Sequence, residues 1–537
     1  MALTRRQLTR YTVFLGLAAW LPAQLRSSPS PKTPPLVTPS SLADSLTRQV
    51  NQILNQSPQL ELDETQLLIP TYLGNDQRRY YGRGTPAALT VQHRFYLGTN
   101  ISRVGGTVYS WSGAGWTGQP TLLRDRGRLY LIIGAYNHQL RKIDLESRQE
   151  VWTYQFDDIL KGTATIYIDE TASDENRIVI VQGSRLGVNK SLSSAVVPSF
   201  RAISLRTGKE LWRMNIRQTD SYSRDNDSSP LYLGQQTLFN AGENSIGYFI
   251  NSRSDSRRPN NGFFAPEIYQ ELQLYNNTDV SRYRGNLVAE SSPARVGDRL
   301  YLASGGGRIY GIDINRRTIV WQFRSGGDLN GTISIAQDGK LFSTLDREHI
   351  PGQAGVYKLD PSKPDPDCVD WFLPVANIPF ASWQGGITGS VALNDEYRAP
   401  DTPPLFASNA IDGYLYLGSQ TQVTGETVFG PFQQREYNTP ILIAKEAIGP
   451  SISTPIFTDG NRLVAAGYNG VHLFQLNYRL ASANDPLALP GGRGQFYRIS
   501  LEKLAHFTSG GAFESTPIVW EGSVYLCSRD GWMYQLG

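Results

Sequence analysis

The residues of this chain that could do chemistry are few and scattered. Its histidines are His93, His138, His349, His472 and His506, and no two stand at the HxH or HxxxH spacing of a zinc site. The cysteines are Cys368 and Cys527, with no CxxC pair. No GxSxG or other nucleophile motif occurs. Thr207-Gly208-Lys209 lacks P-loop spacing and reads as a hairpin turn. Hard oxygen ligands stand in Asp169-Glu170 with Asp174-Glu175, in Asp225 with Asp227, and in Asp365, Asp367 and Asp370. Each of these groups reads as a solvated turn, and so does the basic stretch from Arg253 to Arg258. No catalytic residue and no metal ligand is expected from local motifs, and no cofactor-binding residue can be assigned.

What would have to position any site is legible as a repeat. Ser291-Ser292-Pro293 is followed by Gly297, Leu300-Tyr301, Gly305, Gly307, Tyr310, Asp313 and Trp321. Ser515-Thr516-Pro517 is followed by Gly522, Val524-Tyr525, Gly531 and Tyr534. Pro293 to Tyr310 and Pro517 to Tyr534 are both 17 residues. Starts of this kind fall near Pro120, Thr163, Pro230, Pro293, Thr332, Ser390, Pro455 and Pro517, which makes eight. Seven is the alternative count, because the Pro230 and Ser390 copies are degenerate. A unit of apolar strands and Gly turns cannot bury its faces alone and must stack on its neighbours.

The last strand of a repeat has its own signature. Asp144 to Trp152, Ser204 to Trp212 and Asp313 to Trp321 are each separated by 8 positions, and Asp360 to Trp371 by 11. Asp144 and Asp313 should cap a tight turn with their carboxylates. Gly208 should take positive φ in the turn before Trp212. Trp152, Trp212, Trp321 and Trp371 should fill the gaps between adjacent sheets. The final repeat stops at Gly537 before its outer strand, so a strand drawn from the region between Thr85 and Trp111 must complete it and close the ring.

The run from Ala202 to Trp212, with the upstream Ser-Ser-Pro, Gly and Leu-Tyr positions, resembles the repeat of the pyrroloquinoline-quinone (PQQ)-like β-propellers. The resemblance spans roughly residues 85–537 and departs from the pattern at Ser204, where Asp is usual. It implies an all-β, eight-bladed propeller closed through its two termini. That family includes quinoprotein dehydrogenases and a non-catalytic propeller of outer-membrane assembly. The enzymes hold Ca²⁺ with Glu, Asn and Asp side chains, and many carry a vicinal disulfide. This chain has no Cys-Cys pair and no local motif for that ligand set. The resemblance therefore leans towards the non-catalytic member, with no cofactor expected; PQQ with Ca²⁺ is the alternative.

The amino terminus reads as an export signal over residues 1–26. Arg5-Arg6 resembles the twin-arginine motif and precedes an apolar run of 11 residues, Tyr11 to Leu21, too short to span a bilayer. Left uncleaved, it would be a weak anchor. Residues 27–84 read as a Pro/Ser-rich tether followed by a short amphipathic helix through Leu42, Leu46, Val50, Ile53 and Leu54. Net charge is +3 with 18% charged residues, so neither nucleic acid nor an anionic membrane is indicated as partner. Long insertions follow Ser184, Ser221, Asn251 and Ser419. The expected function is an exported, periplasmic or envelope-associated binding scaffold that meets a protein partner through these insertions. The alternative is a quinoprotein-type oxidoreductase with a degenerate site.

Overall fold

In the computed structural model, residues 65–260 and 262–537 are described. The export signal with Arg5 and Arg6, and the tether and helix up to residue 64, lie outside them. Each of the eight proposed starts leads into an inner strand. These strands are Thr121–Asp125, Thr165–Ile168, Leu231–Gly234, Ala294–Val296, Ser334–Ile335, Ala392–Leu393, Ile456–Thr458 and Ile518–Trp520. Each opens an antiparallel blade of four strands, numbered here 1 to 8. The degenerate Pro230 and Ser390 copies are thus real blades, 3 and 6. Strands inside a blade are covered on both faces by neighbouring sheets. Ile178–Gly183, for example, is buried at every position.

The Ser/Thr-Pro motif has a structural reason. Its hydroxyl accepts a backbone N–H from the preceding blade. Gln119 donates to Thr163 Oγ1 at 2.7 Å, Ser229 to Ser292 Oγ at 2.9 Å and Ser292 to Thr332 Oγ1 at 2.9 Å. Thr332 donates to Ser390 Oγ at 2.9 Å, and Ser390 to Thr454 Oγ1 at 2.8 Å. These bonds form a belt of hydroxyls around the channel and satisfy amides that the blade geometry leaves unpaired.

The ring closes as the truncated last repeat requires. Val91–Tyr96 pairs antiparallel with Trp532–Leu536 as the outer strand of blade 8. Residues 65–84, assigned from sequence to the tether, run through the channel as a plug. Gln66–Ile69 pairs with the inner strand of blade 1, and Gly82–Arg83 lies parallel to that of blade 8. Between them, Tyr72 Oη meets Thr454 Oγ1 at 3.0 Å, Asp76 O accepts from Arg295 N, and Tyr81 Oη accepts from Leu393 N at 3.0 Å.

Two of the long insertions pack against the ring along part of their length. After Ser419 the chain extends into a long hairpin, Tyr414–Phe429 with Glu436–Ala447. Its tip packs on the ring: Pro431 O accepts from Gly352 N at 2.8 Å, Phe432 occupies the space beside Gly326, and Arg435 pairs with Asp367 at 3.1 Å. The stretch from Asn251 to Asn276 is not one insertion, because Ile268–Gln273 is the outer strand of blade 3. The insertion is the stretch between Asn251 and Ile268, which carries the hairpin Arg258–Asn260 with Phe263–Ala265. It covers blade 2, with the Arg213 guanidinium 5.6 Å from the Phe263 ring and Arg257 bonded to Leu211 O at 3.0 Å.

Candidate functional site

The four tryptophans lie away from the channel mouth, between sheets. Trp212 is fully buried, and Trp371 packs 5.1 Å from Phe406 of blade 6. Trp152 and Trp321 are half-buried and donate across the blade gap, to Leu205 O at 2.9 Å and Lys363 O at 2.8 Å. Asp144 caps its turn by accepting from Glu146 N and Ser147 N, both at 3.0 Å, and Asp313 accepts from Arg316 N at 2.9 Å. Ser204, the departure from the repeat, makes the same cap with its hydroxyl, accepting from Thr207 N at 3.2 Å. Hydrogen bonds and the Arg128 and Arg299 partners hold the Asp144 and Asp313 carboxyls below their usual range. Cys368 and Cys527 are both buried and free.

The chemistry gathers elsewhere, on the face built by blade-to-blade connections and by turns between second and third strands. Asp225 and Asp227, expected in a solvated turn, are both buried there. The connection from blade 2 to 3 carries them inward, where each finds a cation. Arg185 Nε donates to Asp225 Oδ2 at 2.6 Å. Lys161 Nζ meets Asp227 and stands 3.9 Å from both Glu243 Oε1 and Glu290 Oε1. Burial opposes the Lys161 charge, yet Asp227, Glu243 and Glu290 outweigh it and hold its proton well above the usual lysine range. Burial and Asp227 push Glu243 up, and burial pushes Glu290 to about 7.

A second group adjoins the first. Asp328 comes from the connection between blades 4 and 5, and Asp346 with Glu348 from the turn within blade 5. Asn286 Nδ2 donates to Asp328 Oδ2 at 3.1 Å, Asn330 Nδ2 to Asp346 Oδ2 at 3.2 Å and Glu348 N to Asp346 Oδ1 at 2.8 Å. His349 Nε2 lies 3.3 Å from Asn286 Nδ2 and 3.5 Å from Glu348 Oε1. Burial raises Asp328 to about 6 and Asp346 well above its usual range. In each group three carboxylate oxygens lie within 4.8 Å of one another.

The other half of this face is aromatic. Trp116, Ile411 and Ile452 pack with Phe380, Trp383 and Tyr468. Arg529 sits 5.1 Å from the Trp111 ring and 4.9 Å from that of Tyr136, and pairs with Glu514 at 3.0 Å.

Oxygen donors for a hard cation are therefore present, but the cup does not fit the quinone that the family resemblance raises. PQQ carries three carboxylates. Here Asp225, Asp227, Glu243, Glu290, Asp328, Asp346 and Glu348 line the mouth, while Lys161 and Arg185 are already engaged by them. An anionic ligand would meet like charge in a poorly solvated pocket.

Sequence reasoning passed over Lys161, Glu243, Asn286, Glu290, Asp328, Asp346 and Glu348. One signal was there to find: Asp227, Glu290 and Glu514 each stand directly before a Ser-Ser-Pro or Ser-Thr-Pro. In these three repeats that position falls on this face.

No protein-family model matches the chain, and no curated protein matches it by sequence. Among solved structures it is similar to BamB from Moraxella catarrhalis, at 13% identity and a TM-score of 0.47, over 83% of this chain and 99% of that one.

Proposed function

We propose that this protein is an exported, non-catalytic binding propeller that engages a protein partner of the envelope. One observation carries the reading. The hairpin Thr99–Val104 with Thr107–Ser112 stands on the acidic face and exposes Ile101, Val104, Val108 and Tyr109, each by 40–50%. It is held in place at its base. Arg185 Nη1 donates to Ser102 Oγ at 2.9 Å and to Arg103 O at 3.0 Å, and His138 Nε2 meets Ile101 O at 2.8 Å. A fixed hairpin with a run of exposed apolar side chains is what an association surface requires.

The test is in-cell crosslinking of the full chain and of a variant carrying Ile101→Ser, Val104→Ser, Val108→Ser and Tyr109→Ser. The variant should melt like the parent, because the four side chains are exposed, and should lose its crosslinked partner. A partner retained by the variant contradicts the reading. So does PQQ-dependent dye reduction by the purified protein in the presence of Ca²⁺.

A further inference from the structure

Beside the tip of the blade 6 hairpin lies a cavity of about 400 Å³, within the range of small-ligand sites. It is walled by the helix Asn277–Tyr283, by Gly306 and Gly307 leading into the strand Arg308–Asp313, by Arg324 at the end of the outer strand Thr318–Arg324, and by Phe432 and Gln434 of the hairpin. Its charges are three guanidiniums and one carboxylate: Arg282, Arg308 and Arg324 against Asp279. Arg308 and Asp279 are both buried and answer each other. Arg308 Nε donates to Asp279 Oδ2 at 2.9 Å and Nη2 to Oδ1 at 2.7 Å, while Nη1 donates to Gln322 Oε1 at 3.2 Å. Arg282 and Arg324 are left over. Among the described residues, neither guanidinium bonds to a side chain or pairs with an acid. Asp365 also faces Arg324, but from the adjoining recess.

Arg282 is nevertheless held in place. Its guanidinium stands 5.4 Å from the Tyr283 ring and 5.3 Å from the Phe432 ring. Phe432 comes this close because residue 326 is glycine; a Cβ there would strike the ring. Tyr283 is fixed in turn by donating from Oη to Gly326 O at 3.1 Å. Rings meet a guanidinium on its flat face and leave its N–H edge free for an acceptor. A positioned guanidinium with unused donors, beside a cavity with surplus positive charge, calls for an anion.

We propose that this cavity binds a phosphomonoester, with Arg282 and Arg324 donating to the phosphate oxygens and the Arg308–Asp279 pair as fixed wall. Guanidinium forks match phosphate oxygens in geometry and charge. The surplus of two cations meets the nearly two negative charges of a phosphate ester at neutral pH, whereas a carboxylate would answer only one. Thr278 and Gln434 in the lining offer neutral polar groups to the rest of the ester. The site is separate from the exposed hairpin of residues 99–112 and needs no protein partner.

Titration calorimetry of the purified full chain with glycerol 3-phosphate and with glycerol tests this, together with co-sedimentation on vesicles of phosphatidic acid or of phosphatidylcholine. Glycerol 3-phosphate should bind and glycerol should not. Arg282→Gln and Arg324→Gln should each weaken binding about five- to tenfold, and together about thirtyfold or more. Both positions are exposed, so the variants should melt like the parent. Arg316→Gln, at an exposed arginine of blade 4 outside the cavity, should leave binding unchanged. Phosphatidic acid vesicles that sediment with the parent and not with the double variant assign the ester to a lipid; binding of the free ester alone assigns it to a soluble compound. An equal loss in Arg316→Gln reduces the effect to general surface charge and overturns the assignment. So does undiminished binding by the double variant, or failure of the parent to bind either form of the phosphate at millimolar concentration.

Discussion

Arg78 Nε donates to the carbonyl of Pro293 at 2.8 Å, joining the channel plug to the repeat motif of blade 4 across 215 positions of sequence. The same guanidinium donates to Tyr72 O and Thr71 Oγ1, both at 2.7 Å, and to Ser229 O of blade 3 at 3.3 Å. It is fully buried, and burial lowers it to about 10, so it stays charged at neutral pH. Its charge is met by carbonyl dipoles rather than by a paired carboxylate. Replacing it by Met should strand three buried carbonyls and cost about 3–5 kcal/mol. Urea denaturation measures this, and a loss under about 1 kcal/mol would show that the plug does not bind the blades together.

The tryptophans should rank by burial. Trp212→Ala removes a fully buried indole packed against Phe200 at 5.8 Å and should cost about 3–5 kcal/mol. Trp321→Ala removes a half-buried ring and its bond to Lys363 O and should cost about 1–2 kcal/mol. Equal losses by calorimetry would contradict inter-blade packing as their common role.

Export should depend on the arginine pair. Arg5→Lys with Arg6→Lys keeps the charge of the segment and removes the guanidinium pair that the twin-arginine route reads. Fractionation should then find precursor in the cytoplasm. Undiminished export of the double variant would assign the general secretory route instead.

Fold and site were legible to different degrees for a physical reason. The blade count, the termini-closing strand Val91–Tyr96 and the turn caps at Asp144 and Asp313 follow from local spacing, since a repeat writes its packing into every copy. The plug was missed because Arg78 and Tyr72 act through contacts 215 and 382 positions away and carry no periodicity. The acidic cup was missed for the same reason. Lys161, Asp227, Glu243 and Glu290 come from three connections and one turn, each unremarkable alone. Asp225 and Asp227 looked like a solvated turn because sequence does not reveal Arg185 and Lys161 waiting as partners.

The cup should make stability fall as pH rises. Glu290, facing Lys161, Asp227, Asp225 and Asp328, is raised to about 7. Asp328, facing Asn286, Asn330, Glu348 and His349, is raised to about 6. Unfolded carboxyls titrate near 4, so between about pH 4 and 7 the folded protein holds protons that the unfolded chain has released. This contribution is complete below about pH 4 and is lost as pH rises through 6 and 7. Histidines oppose this over the same window, since His472 is lowered to about 4 and His138 and His93 are lowered too. The cup is therefore read by difference: from pH 5 to 7.5 the melting temperature of the Asp328→Asn, Glu290→Gln variant should fall less, or rise more, than that of the parent. Asp125, Asp144 and Asp313 are lowered and act the other way, with stability lost only as pH falls below about 4.

Lys161 tests the electrostatics of the cup from the opposite side. Its ammonium is the cation shared by Asp227, Glu243 and Glu290, and Asp227 has no other donor among the described residues. Lys161→Met keeps most of the stem volume and removes the charge. At pH 8, above the value of about 7 for Glu290, Asp227 and Glu290 would face each other without a cation, at a cost of about 3–5 kcal/mol. At pH 5 Glu290, raised to about 7, already holds its proton, so less repulsion is released and the loss should be smaller. Denaturation of parent and variant at both pH values separates this from simple loss of packing, which would cost the same at each. A pH-independent loss would show that Lys161 is held by its stem and not by the three acids around its ammonium.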